Sequence, residues 1–290
     1  MAQNIEYLNS QEAAKILGVN VSTIKRWTEE SKLECIKSAG GHRKFTFKQL
    51  ASFLNENRRK TSKANLFPIE NETDLQLSSH ILKGNFPYLI DFLEKNALEA
   101  NQFRINKVLT GLYLAQYPLH IIYDRIITPV LHRVGQLWLK NELTIIEEHI
   151  VTQILKDGIL RLQGIVRLPE KPKMGKVLCT TFSSELHDIA LKMIQHILEF
   201  RGFKVYNTGQ ITPLMDIEEV IDTIRPVRVY LSSAYLDDKI MIQNEFNHVC
   251  SICEERDIAL YIGGNGFDHL EINQHAVVQR LFTFEDVFHI

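Results

Sequence analysis

The stretch that decides the fold of this 290-residue chain is residues 176–190, KVLCTTFSSELHDIA. It opens with a short apolar run after Gly175, which predicts a buried strand. The loop that follows carries Glu185 and His187, and apolar residues then recur at helical spacing from Ile189. A histidine between a strand end and a helix lies where open α/β sheets bind their ligands. A carboxylate two residues earlier could fix its tautomer and leave the other ring nitrogen for a metal.

Strand and helix patterns alternate through residues 171–290, which predicts a Rossmann-like (flavodoxin-like) α/β domain with a parallel sheet. The predicted strands are 176–182, 204–208, 227–232, 258–262 and 277–282, and the predicted helices are 188–201, 215–224 and 238–256. On one rim, the strand ends carry polar residues and glycines: Glu185, His187, Thr208, Gly209, Ser232, Ser233, Gly263 and Gly264. Paired glycines allow a ligand to approach the backbone closely.

Composition predicts a soluble, cytoplasmic protein of two or three domains without membrane contact. No apolar run approaches the roughly 20 residues of a membrane span, and the polar N-terminus does not resemble a secretory signal. Four cysteines do not make a disulfide framework. Cys250 and Cys253 predict buried thiols on a helix, with a redox or zinc site as the alternative.

Charge is distributed unevenly along the chain, although the net charge is only −2. Residues 1–65 contain 12 Lys and Arg against 6 Asp and Glu, whereas the remainder contains 21 against 29. A small basic module on an acidic body predicts nucleic-acid binding by that module alone.

Residues 1–60 predict a winged helix-turn-helix domain. Asn9 and Glu12 have capping-box spacing, Gly18 ends the first helix, and Asn20 is the expected cap of a second helix. A second helix after a tight turn is suited to the DNA major groove, and the basic turn that follows predicts a wing that contacts phosphates. The predicted DNA-contacting residues are Ser22, Thr23, Lys25 and Arg26 on the helix and His42, Arg43 and Lys44 in the wing.

The middle of the chain predicts a linker at 61–73 and a helical bundle at 74–170, with a kink at Pro129. Trp138 precedes Glu148 and His149 across the meeting of two predicted helices. These three residues could cover one face of a flat ligand. On spacing alone, a core tryptophan and a charged pair on the helix surface are the favoured interpretation.

The run LNSQEAAKILGVNVSTIKRW followed by AGGHRKFT resembles the winged-helix DNA-binding domain of the MerR family. Trp138 with Glu148 and His149 resembles the tryptophan-x9-glutamate-histidine signature of light-sensing cobalamin regulators related to MerR, the CarH/LitR group. In that group these residues lie over the upper face of adenosylcobalamin. A histidine that ligates cobalt after photolysis follows the tryptophan there, whereas Leu139 stands at that place here.

The C-terminal domain resembles the cobalamin-binding fold of methionine synthase, the corrinoid mutases and the same light-sensing group. The resemblance implies that His187 is the lower axial ligand of cobalt and that Glu185 is its partner. It places the nucleotide tail of the cofactor near Ser232, Ser233, Gly263 and Gly264. This chain has Ala190 where the motif has glycine, and it lacks the leucine of the family's serine-x-leucine motif.

The resemblance predicts a transcription regulator that senses light through adenosylcobalamin, with methylcobalamin as a possible form, and that binds a double-stranded DNA operator as a tetramer or dimer. One alternative is a cobalamin-independent regulator with a degenerate pocket, in which His187 is a loop histidine bonded to Glu185. Another is a corrinoid carrier of a methyltransferase, which the winged helix argues against. No Ser-His-Asp set, phosphate loop or paired-carboxylate site predicts an enzyme.

Overall fold

The computed structural model describes residues 7–46, 49–50, 53, 66–67, 69–166, 168–272 and 277–290. It contains two compact units, one made of Met1–Tyr117 with His132–Val151 and one of Pro118–Leu131 with Thr152–Ile290. Residues 54–60 of the predicted DNA-binding domain and residues 61–65 and 68 of the predicted linker lie outside the described residues. The predicted domain boundaries therefore stay a prediction.

The N-terminal module begins with two short helices, α1 (Ser10–Leu17) and α2 (Val21–Glu29). Asn9 and Glu12 form the predicted capping box, and Gly18 ends α1 in the left-handed conformation. Asn20 occupies the cap position of α2, but its side chain makes no capping hydrogen bond.

Three short antiparallel strands complete the module, in the order β1 (Leu8–Asn9), β3 (Arg43–Phe45), β2 (Ile36–Lys37). We call residues 36–45, which comprise β2, the turn and β3, the wing. The helix pair and the wing together give the predicted winged helix-turn-helix.

The module packs on the helix that follows it, α3 (Glu72–Lys83). Ile69 and Leu75 belong to the same buried apolar cluster as Leu17 and Trp27 of the module. Lys83 Nζ also lies 3.5 Å from Glu12 of α1. The end of the predicted linker is therefore part of a core, because Ile69 is only 9% exposed.

The remaining helices of the middle region are α4 (Phe86–Leu98), α5 (Gln102–Leu114), α6 (Leu119–Ile122), α7 (Thr128–Leu139) and α8 (Ile145–Gln163). A π-helical segment, Tyr123–Ile127, joins α6 to α7, and its last bond runs from the Thr128 amide to Tyr123 O. The irregularity that Pro129 predicted is therefore a π segment just before it, where a missing amide disturbs the helical ladder.

The C-terminal region is a five-stranded parallel sheet in the order β5-β4-β6-β7-β8. Its strands are β4 (Lys176–Thr181), β5 (Lys204–Asn207), β6 (Arg228–Ser232), β7 (Ala259–Gly263) and β8 (Val278–Leu281). Its helices are α9 (Ile189–Phe200), α10 (Ile217–Ile224), α11 (Lys239–Glu255) and α12 (Phe284–His289). The fold prediction is confirmed, and α12 is an addition to it.

From β4, the chain adds β5 on one side of the sheet and then β6, β7 and β8 on the other side. The carboxyl ends of β4 and β6 are therefore the topological switch point of a doubly wound sheet. The β strands bury mainly apolar residues, and the predicted CxxC pair lies in the same core. Burial raises the pKa of Cys250 and of Cys253 to about 12, as expected for buried thiols on α11.

Among the described residues, no helix has the length and apolar character needed to cross a membrane.

Candidate functional site

Glu185 and His187 form a tight pair in the loop between β4 and α9. The Nδ1 atom of His187 lies 2.6 Å from Oε1 of Glu185, which also accepts a 2.8 Å hydrogen bond from the His187 backbone amide. The carboxylate is buried with 1% of its side chain exposed, whereas 53% of the His187 side chain is exposed. Because Nδ1 is engaged with the carboxylate, ligation of a metal by this ring would use Nε2.

The second oxygen of Glu185 reaches across the switch point to the loop after β6. Oε2 accepts hydrogen bonds from the backbone amides of Ala234, at 2.6 Å, and Tyr235, at 3.3 Å. Burial alone would raise the pKa of the Glu185 carboxyl, but hydrogen bonds from the His187 side chain and backbone and from the Ala234 amide outweigh it, so that the pKa is lowered. Glu185 is therefore an ionised carboxylate that ties the His187 loop to a neighbouring strand.

Asp188 anchors the other side of the loop. Both of its carboxylate oxygens accept hydrogen bonds from Lys156 Nζ of α8, at 2.6 and 2.8 Å. The pair could not be predicted from local spacing, since the two residues are 32 positions apart. The position of the charged residue Asp188 next to the predicted ligand His187 was the only sign that it could be important. Nothing in the sequence indicated Lys156 as its partner.

Ser233, Gly263 and Gly264 lie at the ends of β6 and β7 and contact one another. The Ser233 amide donates to Gly263 O at 3.0 Å. A Cβ atom at Gly264, which has φ +104°, would lie 2.0 Å from Ser233 O. Packing against Ser233 therefore already requires a glycine at this position. Ser232, at the end of β6, pairs in register with Thr181 and Gly263.

Ala190 is the second residue of α9, and it is half-buried there. Alanine favours a helical backbone more than glycine does. The substitution in the family motif is therefore compatible with the start of this helix.

The three residues of the predicted cap lie in the first unit. Trp138 stands near the end of α7 with 44% of its surface exposed, and Leu139 next to it is 69% exposed. Glu148 and His149 lie in the first turns of α8, with His149 Nε2 3.7 Å from Glu148 Oε2. The interpretation of Trp138 as a buried core aromatic is therefore not supported, whereas the surface position of His149 fits both readings.

The exposed face of α2 carries the predicted DNA contacts. Ser22, Lys25 and Arg26 are exposed and Thr23 is half-buried, whereas Ile24 and Trp27 point into the core. In the described part of the chain, this helix and the wing present basic side chains from one small module. That arrangement suits a helix in the major groove with flanking phosphate contacts.

The three predicted wing contacts differ in their surroundings. His42 and Lys44 are exposed, and Lys44 Nζ lies 5.6 Å from the centre of the Tyr7 ring. Arg43 instead turns back to α2, where its Nε donates to Thr28 Oγ1 at 2.8 Å and its Nη2 to Glu29 Oε1 at 2.9 Å. The structure thus gives Arg43 protein partners where sequence analysis predicted a phosphate.

Comparison with known proteins supports both parts of this arrangement. A family described as a helix-turn-helix domain matches residues 7–58, and one described as a B12 binding domain matches residues 76–163. The HTH-type transcriptional repressor CarH of Myxococcus xanthus is 26% identical over 233 residues, which are 76% of this chain and 77% of the repressor.

Two further proteins resemble parts of the chain. The glutamate mutase sigma subunit of Fusobacterium nucleatum is 30% identical over 90 residues, 31% of this chain and 65% of that protein. The solved monomethylamine corrinoid protein of Methanosarcina barkeri superposes with a TM-score of 0.55 at 13% identity, over 70% of this chain and 96% of that one, which shows a shared fold. The chain thus combines the two domains of a cobalamin-binding helix-turn-helix transcription regulator, as its motifs predicted.

Proposed function

We propose that this protein is a transcription regulator that senses light through adenosylcobalamin and binds its operator as a ligand-dependent homo-oligomer. The observation that carries the proposal is the Glu185–His187 pair at the switch point of a parallel sheet, in a chain that also has a winged helix. A buried carboxylate that orients an exposed imidazole is an arrangement suited to metal ligation.

The residues of the α/β domain fit the lower face of such a cofactor. His187 would ligate cobalt through Nε2, and Glu185 would hold the ring and its tautomer. The nucleotide tail would lie along the strand ends, near Ala190, Ser232, Ser233, Gly263 and Gly264. When bound, adenosylcobalamin would supply a cobalt–carbon bond that light can break.

The residues of α7 and α8 supply the other face in this proposal. Trp138 would cover the adenosyl group, with Glu148 and His149 beside it. The exposure of Trp138 and His149 supports this role, since a side chain buried in the protein core could not also cover a ligand. The Leu139 side chain has no nitrogen, so it cannot replace the histidine that ligates cobalt in the light-sensing relatives.

Assembly would connect the cofactor to DNA. A tetramer or dimer presents several winged helices to one operator, and linked modules bind far more tightly than one. The ligand can control assembly only if its affinity differs between the assembled and the dissociated protein. Ser22, Thr23, Lys25 and Arg26 would read or flank bases, while His42 and Lys44 would contact phosphates.

A cobalamin-independent regulator is the second candidate, and one observation favours it. Both oxygens of Glu185 are satisfied by groups of the chain itself, and Gly264 is required by Ser233 without any ligand. The loop can therefore be a self-sufficient structure. A corrinoid carrier would instead bind methylcobalamin and lack affinity for DNA.

The deciding experiment is an absorbance spectrum. The purified protein is mixed with adenosylcobalamin in the dark, desalted, and measured before and after green light, with His187→Ala in parallel. Retained cobalamin whose spectrum changes on illumination, and whose dark spectrum differs in the variant, supports the light sensor. Failure to retain any cobalamin rules it out and leaves the cobalamin-independent regulator.

Light scattering on the same samples tests assembly. We expect a larger particle in the dark, loaded state than after light, and tighter binding of the larger particle to DNA. An unchanged particle mass in all states would refute ligand-dependent oligomerisation without affecting cobalamin binding.

A further inference from the structure

Arg43 joins the wing to the end of helix α2. Its guanidinium donates from Nε to Thr28 Oγ1 at 2.8 Å and from Nη2 to Glu29 Oε1 at 2.9 Å. Only 19% of the arginine side chain is exposed, although the residue lies in a solvent-facing wing. The planar fork of arginine can make two such bonds at once, which the single ammonium of lysine cannot reproduce.

Thr28 extends this link into the backbone of α2. Its hydroxyl donates its one proton to Lys25 O at 2.7 Å and accepts from Arg43. Because α2 ends at Glu29, the guanidinium also lies at the negative end of the helix dipole. The arginine is thus held by a carboxylate, a hydroxyl and the helix terminus.

The wing itself is internally braced at the position of Arg43. Arg43 pairs in register with Lys37, and Ser38 closes the turn by bonds with His42, at 3.0 Å between Ser38 N and His42 O and at 3.2 Å between His42 N and Ser38 Oγ. Fixing Arg43 to α2 therefore fixes the position of the whole wing relative to that helix.

We propose that Arg43 is a positioning residue that sets the distance between the wing and helix α2, so that both can contact one DNA duplex together. The inference rests on the proposed DNA binding of this module. Holding both contact regions in place before binding reduces the ordering cost of association. The phosphate charge is then met by His42 and Lys44, whose side chains are exposed.

Substituting Glu29, a partner of Arg43, distinguishes a positioning role of Arg43 from a contact between Arg43 and a DNA phosphate. Glu29→Gln deletes a negative charge from a DNA-binding surface, which by electrostatics alone strengthens binding. If Arg43 is a positioning residue, the same substitution weakens binding because it loosens the wing. The matched control is Glu34→Gln, which removes the same charge from an exposed site in the same module.

The test measures fluorescence anisotropy of a labelled duplex of about 30 base pairs, three helical turns, enriched from a random library with the wild-type protein. Salt titration of the full-length variants then gives affinity and the slope of log K against log salt. We expect Glu29→Gln, Thr28→Val and Arg43→Lys each to weaken binding about fivefold with the wild-type slope. Lys44→Ala should flatten the slope by about 0.9, the loss of one phosphate contact.

Two outcomes overturn the inference. Unchanged or tighter binding by Glu29→Gln would do so, as would an Arg43→Ala variant that flattens the slope as Lys44→Ala does while Thr28→Val binds normally. If the wild type enriches no duplex, the proposed DNA binding fails. Hydrogen exchange of the free protein then tests separately whether Arg43 holds the wing against helix α2. Faster exchange of wing amides in Glu29→Gln than in Glu34→Gln supports the link, and equal exchange refutes it.

Discussion

Among the described residues, the Glu185–His187 pair and the Glu148–His149 pair differ in how the fold surrounds them. Glu185 is buried and holds His187 at 2.6 Å, whereas Glu148 and His149 lie 3.7 Å apart at the surface of α8. The first carboxylate also binds three backbone amides, from His187, Ala234 and Tyr235. Closeness in sequence therefore does not make a histidine site; burial of the carboxylate and its additional donors do.

The largest effect should follow from replacing the buried carboxylate. In Glu185→Gln, the side-chain NH2 group brings a donor to a site where backbone amides already donate to both oxygen positions, which leaves a buried group unsatisfied. We expect a loss of about 2–3 kcal/mol in the free energy of unfolding, measured by urea denaturation without ligand. Glu148→Gln is the control and should lose less than about 0.5 kcal/mol. Equal losses in the two variants would remove the distinction between the pairs.

A third histidine shows the effect of burial without a carboxylate. His196 is 1% exposed, its Nδ1 lies 2.8 Å from Tyr123 Oη, and its Nε2 has no hydrogen-bond partner among the described residues. Burial, and secondarily the charge of Lys192, lowers the pKa of His196 from 6.5 to about 4. The folded protein therefore binds this proton less readily than the unfolded chain.

The depressed pKa of His196 makes the free energy of unfolding depend on pH. Stability is fully present above pH 6.5 and is lost as the pH falls toward 4, because the unfolded chain then binds a proton that the folded protein does not. By linkage, about 2 kcal/mol of unfolding free energy is lost by pH 5. Urea midpoints at pH 7 and pH 5 measure this, and His196→Gln should lose less between the two values. Tyr123→Phe is the control: it should keep the wild-type pH dependence, because burial is the main cause of the shift. A wild-type dependence in His196→Gln would refute the assignment.

A smaller effect is expected for the ring that Glu185 holds. His187→Ala should cost about 0.5–1 kcal/mol without ligand, because 53% of the side chain is exposed and Glu185 keeps its other amide donors. Urea denaturation of the ligand-free protein compares it directly with Glu185→Gln. A loss as large as that of Glu185→Gln would mean that the histidine, and not the carboxylate, holds the loop together.

The smallest effect on stability should come from the exposed histidine of the pair on α8. His149→Ala should change the free energy of unfolding by less than about 0.5 kcal/mol, since its side chain is 67% exposed. If the cap proposal holds, it should still weaken adenosylcobalamin binding relative to cyanocobalamin, measured by equilibrium dialysis. Equal affinities for both cofactors in wild type and variant would leave His149 outside the ligand site.

Local signals explain why so much of the fold could be predicted. The capping box of Asn9 with Glu12, the left-handed Gly18 and the alternating strand and helix patterns of the C-terminal region depend on residues close in the chain. The short helix α12 was not predicted, since its six residues give too little periodicity to recognise. The candidate ligand His187 and its partner Glu185 were also identified from local spacing and the family motif.

By itself, the sequence determined the order of a basic helix-turn-helix, a helical region and a parallel α/β sheet, because caps, turns and periodicity act between neighbours. Only the tertiary structure decided which charged groups are held. Glu185 meets an amide 49 residues away, Asp188 a lysine 32 residues away and Arg43 a glutamate 14 residues away. Such contacts depend on where the folded backbone brings distant residues and on how much water it excludes, and neither can be read from spacing along the chain.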